Sequence, residues 1–129
     1  MQDIVTVADD RRTARGRFRA LLAGGSHDSR TDAPEGLPAQ FWEAGVYEND
    51  YVREGGVWKI ARLDYRVQWQ ADYEAGWAHQ EAHLRPASAT FPENPLGPDE
   101  LLSESRPMWP KRAHVEFHYA HPAIQQALR

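Results

Sequence analysis

The chain has 129 residues, 41% hydrophobic, 26% charged and 11% aromatic, with a net charge of -4, a size that supports one domain around one core and excludes two ordinary ones. It contains no cysteine, which rules out a disulfide framework, a thiolate metal site and a cysteine nucleophile. The fifteen Lys and Arg form no long run, and the first twenty residues carry Asp3, Asp9, Asp10 and five arginines. Neither a nucleic-acid footprint nor an apolar leader or membrane span is legible, so a soluble, cytoplasmic protein is expected.

Residues 2–8 alternate Ile4 and Thr6 against Val5 and Val7, which predicts a short strand, and Asp9-Asp10 supplies turn chemistry. From Thr13 to Leu22 small or apolar residues (Ala14, Gly16, Phe18, Ala20, Leu22) alternate with Arg15, Arg17 and Arg19, predicting a second strand hairpinned to the first. Gly24 to Pro38 reads as a surface loop. Phe41 to Arg53 runs at period two and predicts a long strand. Glu54-Gly55-Gly56 is a tight turn, and Val57 to Trp69 forms the returning arm, free of Gly and Pro. Within that arm Trp58 and Ile60 share one parity while Leu63, Tyr65, Val67 and Trp69 share the other, which predicts a β-bulge near Ala61-Arg62. A short helix is predicted over residues 72–84, weakened by Gly76. Seven of the nine prolines follow Arg85, so residues 85–129 read as an irregular tail that wraps the domain or a partner.

Five of the six histidines lie after residue 78. His79 and His83 are four apart, as are His114 and His118, with His121 three further on, a spacing that would place two imidazoles on one helical turn. The order His79-Gln80-Glu81-Ala82-His83 is not the zincin arrangement, and no metal is expected. Acid–base candidates on the hairpin are Glu48, Asp50, Asp64 and Asp72, each needing a dry setting to act as a base at neutral pH. Tyr47, Tyr51 and Tyr65 are candidate hydrogen-bond donors to a developing oxyanion. Gly24-Gly25-Ser26 has neither the spacing nor the following helix of a phosphate loop or a nucleophile elbow, so nucleotide-dependent chemistry is disfavoured.

The run Gly45-Val46-Tyr47-Glu48-Asn49-Asp50-Tyr51-Val52-Arg53-Glu54-Gly55-Gly56-Val57-Trp58-Lys59-Ile60, continued by Arg66-Val67-Gln68-Trp69 and Asp72-Tyr73-Glu74, resembles the SnoaL-like branch of the nuclear-transport-factor-2-like superfamily. The resemblance implies an α+β fold: a curved, mostly antiparallel sheet forming a cone-shaped half-barrel, here with little helix and a long irregular C-terminal tail. Residues 1–84 would be the sheet domain, beginning where the family's strand after its N-terminal helices begins. Scytalone dehydratase, ketosteroid isomerase and the polyketide cyclases are enzymes of this superfamily, and their chemistry uses no cofactor. Asn49 stands where scytalone dehydratase has a catalytic histidine, and it cannot serve as a base; the catalytic residues are therefore unassigned.

The resemblance implies a pocket for a small hydrophobic ring compound. Tyr47, Asn49 and Tyr51 share one strand parity and line one wall, with Tyr65 and Trp69 on the adjacent wall. Dehydratase, isomerase or cyclase chemistry would then belong to full-length relatives. The alternative is a non-catalytic sheet that dimerises or is completed by a partner chain, because a sheet without its helices leaves an aromatic face in water.

Overall fold

A computed structural model describes residues 3–31, 38–78, 87–102, 106–112 and 114–120. Five strands form one antiparallel sheet: β1 (Ile4–Val7), β2 (Thr13–Gly25), β3 (Gln40–Glu54), β4 (Val57–Arg62) and β5 (Tyr65–Asp72). β3 is the centre. β2 pairs along one of its edges from Gln40 to Val52, while β4 and β5 lie end to end along the other. The β3–β4 hairpin closes on Gly55 and Gly56, whose φ angles of 57° and 83° match a two-residue turn that demands positive φ at both centres.

Side chains alternate across a strand, so the registers sort the sheet into two faces. Face A carries Ile4, Thr6, Arg15, Arg17, Arg19, Val46, Glu48 and Asp50. Face B carries Val5, Val7, Ala14, Gly16, Phe18, Gly45, Tyr47, Asn49 and Tyr51.

Two irregularities decide where the third edge places its residues. Opposite Asp50 and Tyr51 the register jumps from Arg62 to Ile60, leaving Ala61 as the extra residue, as the parity slip predicts. A second jump, from Trp69 opposite Ala44 to Val67 opposite Gly45, leaves Gln68 unpaired. One extra residue reverses the facing of everything beyond it. Tyr65 therefore shares face B with Tyr47, and Trp69 is turned to face A, where its ring lies 5.2 Å from that of Trp77.

The cone-shaped half-barrel is overturned. β1 ends one side of the sheet and β4 with β5 the other, with no pairing between them, so the sheet is neither closed nor strongly curled. Closure needs the outer strands to meet through a consistent stagger, and among the described residues this sheet, four strands across, has no strand paired beyond β1 or β4. The α component is also missing among the described residues: there is no helix. At the predicted helix over 72–84, the Gly76 amide bonds the Asp72 carbonyl at 3.0 Å and Gly76 then adopts φ 70°, a single α-turn ended by a left-handed residue. Residues 79–84 of that helix lie outside the described residues.

The tail contacts face A. Arg106 reaches Asp64, the Trp109 amide donates to the Gln68 carbonyl, and the Arg17 guanidinium lies 4.4 Å from the centre of the Phe117 ring. Val115 is itself buried, alongside Ala14, Val46 and Ala71 of the sheet. The core built by the described residues is made of small side chains.

On face B, aromatic rings lie over glycines. A Cβ at Gly45 would stand 2.5 Å from the Tyr65 ring and 2.7 Å from the Arg66 carbonyl oxygen. Gly45→Ala is expected to cost about 1–3 kcal/mol by overpacking, read as a lower urea midpoint at unchanged m-value. A midpoint equal to the parent's would show that the Tyr65 ring does not sit on this glycine.

Candidate functional site

Face B places three polar side chains beneath its aromatic rings. Tyr47 and Tyr65 stand opposite each other on β3 and β5 with ring centres 4.4 Å apart and planes 27° from parallel. Phe18 meets Tyr51 edge to face at 6.4 Å. Two same-face positions along β3 from Tyr47, beyond Gly45, Glu43 is 7% exposed and Gln70, its cross-strand partner, 3%. The Gln70 side-chain amide donates to Glu43 Oε2 at 3.0 Å.

Tyr65 links the rings to this pair. Its hydroxyl is buried and makes no hydrogen bond of regular geometry. Burial first, then hydrogen bonding to Glu43 and the charges of Glu43 and Tyr47, push its pKa well above the ordinary tyrosine value. The phenol is therefore a protonated donor at neutral pH, held among groups that disfavour its anion.

Asn49 has a different task. Its Oδ1 accepts from the Asp64 amide at 3.2 Å and its Nδ2 donates to the Tyr51 hydroxyl at 3.2 Å. It thus ties the break between β4 and β5 to the centre of β3 and fixes the Tyr51 ring. Of the five pocket candidates, the structure groups Tyr47 with Tyr65 and Asn49 with Tyr51 on face B, and sets Trp69 on face A beside Trp77. Glu43 and Gln70 were not singled out in the sequence; Glu43 shares the parity of Tyr47 on β3, but that Gln70 faces the same way becomes visible only through the Gln68 bulge.

Three surface grooves have volumes of about 560, 190 and 270 Å³. None is lined by Tyr47, Asn49, Tyr51 or Tyr65. Face B is an open wall, and around it Val5, Ile60 and Trp58 are 55%, 56% and 41% exposed.

The other acid–base candidates bind arginines or the tail. Asp50 pairs with Arg15, and Glu48 with Arg17 and His118. Asp64 accepts from Arg66 at 2.9 Å and Arg106 at 2.6 Å. Burial alone would raise its pKa, but the two guanidinium hydrogen bonds and their charges outweigh it and hold the carboxyl below the usual aspartate value. Asp72 ends β5 opposite Phe41.

Among the described residues no three His, Asp or Glu side chains gather as a metal site. His114 stacks edge to face on Phe117 and His118 lies on Glu48, while His79, His83 and His121 lie outside the described residues. No helix among the described residues is long and apolar enough to cross a membrane.

A family model described as a SnoaL-like domain matches residues 1–64. No curated protein matches the chain at a significant level.

The depressed Asp64 pKa makes the Arg106 contact acid-sensitive. A carboxyl lowered by folding stabilises the fold above its unfolded value, about 3.9, and loses that contribution as pH falls through the folded value. Tryptophan fluorescence followed from pH 5 downward, a range set by the ordinary carboxylate value of roughly 4, should report loosening around Trp109. Arg106→Gln should weaken this acid dependence. An identical acid titration in the variant would rule out Arg106 as its source.

Proposed function

We propose, from the membership of residues 1–64 in the SnoaL-like family, that face B is one wall of a binding site for a small hydrophobic ring compound. The observation that carries this reading is the juxtaposition of the stacked Tyr47–Tyr65 pair with the buried Glu43–Gln70 pair. Aromatic faces offer a planar ligand a large apolar contact at low entropic cost. A few convergent polar groups then fix its orientation. The Tyr65 hydroxyl and the Glu43 carboxylate are buried beneath this wall, so a ligand's carbonyl or hydroxyl oxygen would have to reach under the rings to meet them, and any cofactor-free dehydratase, isomerase or cyclase step here would run through that pair. Tyr51, held by Asn49, and Phe18 extend the apolar surface towards β2.

A second reading, a sheet completed by a second copy or a partner chain without catalysis, is favoured by the exposed apolar side chains Val5, Val7, Trp58 and Ile60 on the same face. Covering them would remove a contiguous apolar surface from water.

Titration with a fluorescent naphthalene ligand separates the two. The first reading expects saturable binding to a monomer, weakened about tenfold or more by Tyr47→Ala, the loss of roughly 1.4 kcal/mol that one aromatic contact supplies. Tyr65→Phe should selectively weaken ligands that carry a carbonyl. Unchanged affinity in a folded Tyr47→Ala chain would remove this wall from the site. The second reading expects a dimer or heavier species by light scattering at micromolar concentration, broken by Ile60→Lys; a monodisperse monomer would sink it.

A further inference from the structure

Face A holds a constellation that the face B reading leaves unused. Thr6 of β1, Glu48 of β3 and His118 of the tail come from three separate segments and meet in one line. His118 Nδ1 lies 2.9 Å from Glu48 Oε2, and its Nε2 lies 3.3 Å from the Thr6 hydroxyl oxygen. The imidazole side chain is 1% exposed, whereas Thr6 faces solvent.

The partners dictate how the line is protonated. Glu48 turns its other oxygen to Arg17, which anchors the carboxylate to β2. A carboxylate at Nδ1 accepts a proton-bearing nitrogen there, so it selects the Nδ1–H tautomer and leaves the Nε2 lone pair for the hydroxyl. This is the order in which a base is oriented and a nucleophile activated, independent of fold or chain order. Arg17 also donates to the Glu116 carbonyl at 3.1 Å and carries the Phe117 ring, so the same cation fixes both ends of the dyad.

Two further features serve an acyl substrate. The Ala8 amide bonds the Thr13 carbonyl at 3.0 Å, and Thr6 and Ile4 face Arg15 and Arg17 in register. Bonded pairs alternate along an antiparallel ladder, so the amides of Val5 and Val7 point to the free edge, with no acceptor among the described residues. Beside Ile4 a groove of about 190 Å³ is lined by Arg17, Arg19, Phe117 and Tyr119. Arg19 is exposed and makes no ion pair among the described residues, which suits a carboxylate on the substrate.

We propose that Thr6, His118 and Glu48 form an esterolytic relay on the face opposite the aromatic wall, for acyl esters that carry an anionic group. The Thr6 oxygen bonds the acyl carbon as its proton passes to His118 Nε2. The carbonyl reforms with loss of the alkoxide, which takes that proton and leaves as the alcohol. Water then attacks the acyl-threonine, giving its proton to His118; the bond to Thr6 breaks, the hydroxyl recovers the proton and a carboxylic acid leaves. The Val7 amide, unpaired among the described residues at the free edge next to Thr6, is the backbone donor available to the developing oxygen charge.

The full chain is tested with 4-nitrophenyl acetate and the mono-4-nitrophenyl ester of glutaric acid. Nitrophenolate release should be faster with the glutarate, and Arg19→Gln should abolish that preference. Thr6→Ala and His118→Asn should lower release about a hundredfold, within the range of general-base contributions, while Thr6→Ser keeps it. Fragment mass spectra of the quenched reaction should place the acyl group on Thr6 rather than on the N-terminus or Lys59. Thr6→Ala leaves the His118–Glu48 bond intact, so a merely structural pin would not respond to it. Equal rates in the parent and Thr6→Ala, or an acyl group found elsewhere, would overturn the proposal.

Discussion

Both faces of this protein take their identity from β3, the strand that bonds neighbours along both of its edges. Its alternation decides that Tyr47, Asn49 and Tyr51 look one way and Val46, Glu48 and Asp50 the other. β2 inherits that alternation without interruption over thirteen residues, so Arg17 falls opposite Glu48 and Phe18 opposite Tyr47. On the far edge the inheritance is broken twice, at Ala61 and Gln68, and each break re-aims the residues that follow. A slip of one residue on β3 would exchange the aromatic wall for the charged one.

The two faces solve the burial problem differently. Face A buries charge, with Arg17 and Glu48 nearly removed from water and paired with each other, and with the buried His118 imidazole bonded to the same carboxylate. Charges so placed contribute little net stability, because desolvation offsets their attraction, but removing one partner leaves the other exposed to a low dielectric. They therefore specify where the tail lies more than they hold the sheet together. Face B buries polar groups only under rings, where Glu43 and Gln70 satisfy each other, and leaves apolar side chains at its margin.

Much of the strand order was legible because its signals are local. Period-two alternation marks β1 to β3, the Gly55-Gly56 pair marks the hairpin tip, and the parity conflict between Ile60 and Leu63 marks the bulge at Ala61. The facing of Trp69 was not legible. The second bulge falls at Gln68, inside a run whose alternation looks regular, and only pairing with Ala44 and Gly45 reveals it. The same pairing brings Glu43 beneath Tyr65. The His118 contact was hidden for another reason, since 70 residues separate it from Glu48 and no local pattern reports a tertiary hydrogen bond. The closed cone failed because closure is a property of edges, which the alternation within strands does not encode.

The outer border of β4 has a bearing on how copies of this chain behave when crowded. Between Val57 and Arg62 the strand exposes every residue and, among the described residues, has a hydrogen-bonded neighbour on one side only. Such a ribbon, with Val57, Trp58 and Ile60 in it, is a template for edge-to-edge stacking. Lys59 and Arg62 interrupt it, and Lys59 is held in place by Glu54 across the hairpin at 2.7 Å. These two cations act as gatekeepers. The charge pattern of one short border thus sets the concentration at which the folded chain stays dispersed, independently of how tightly the sheet itself is packed.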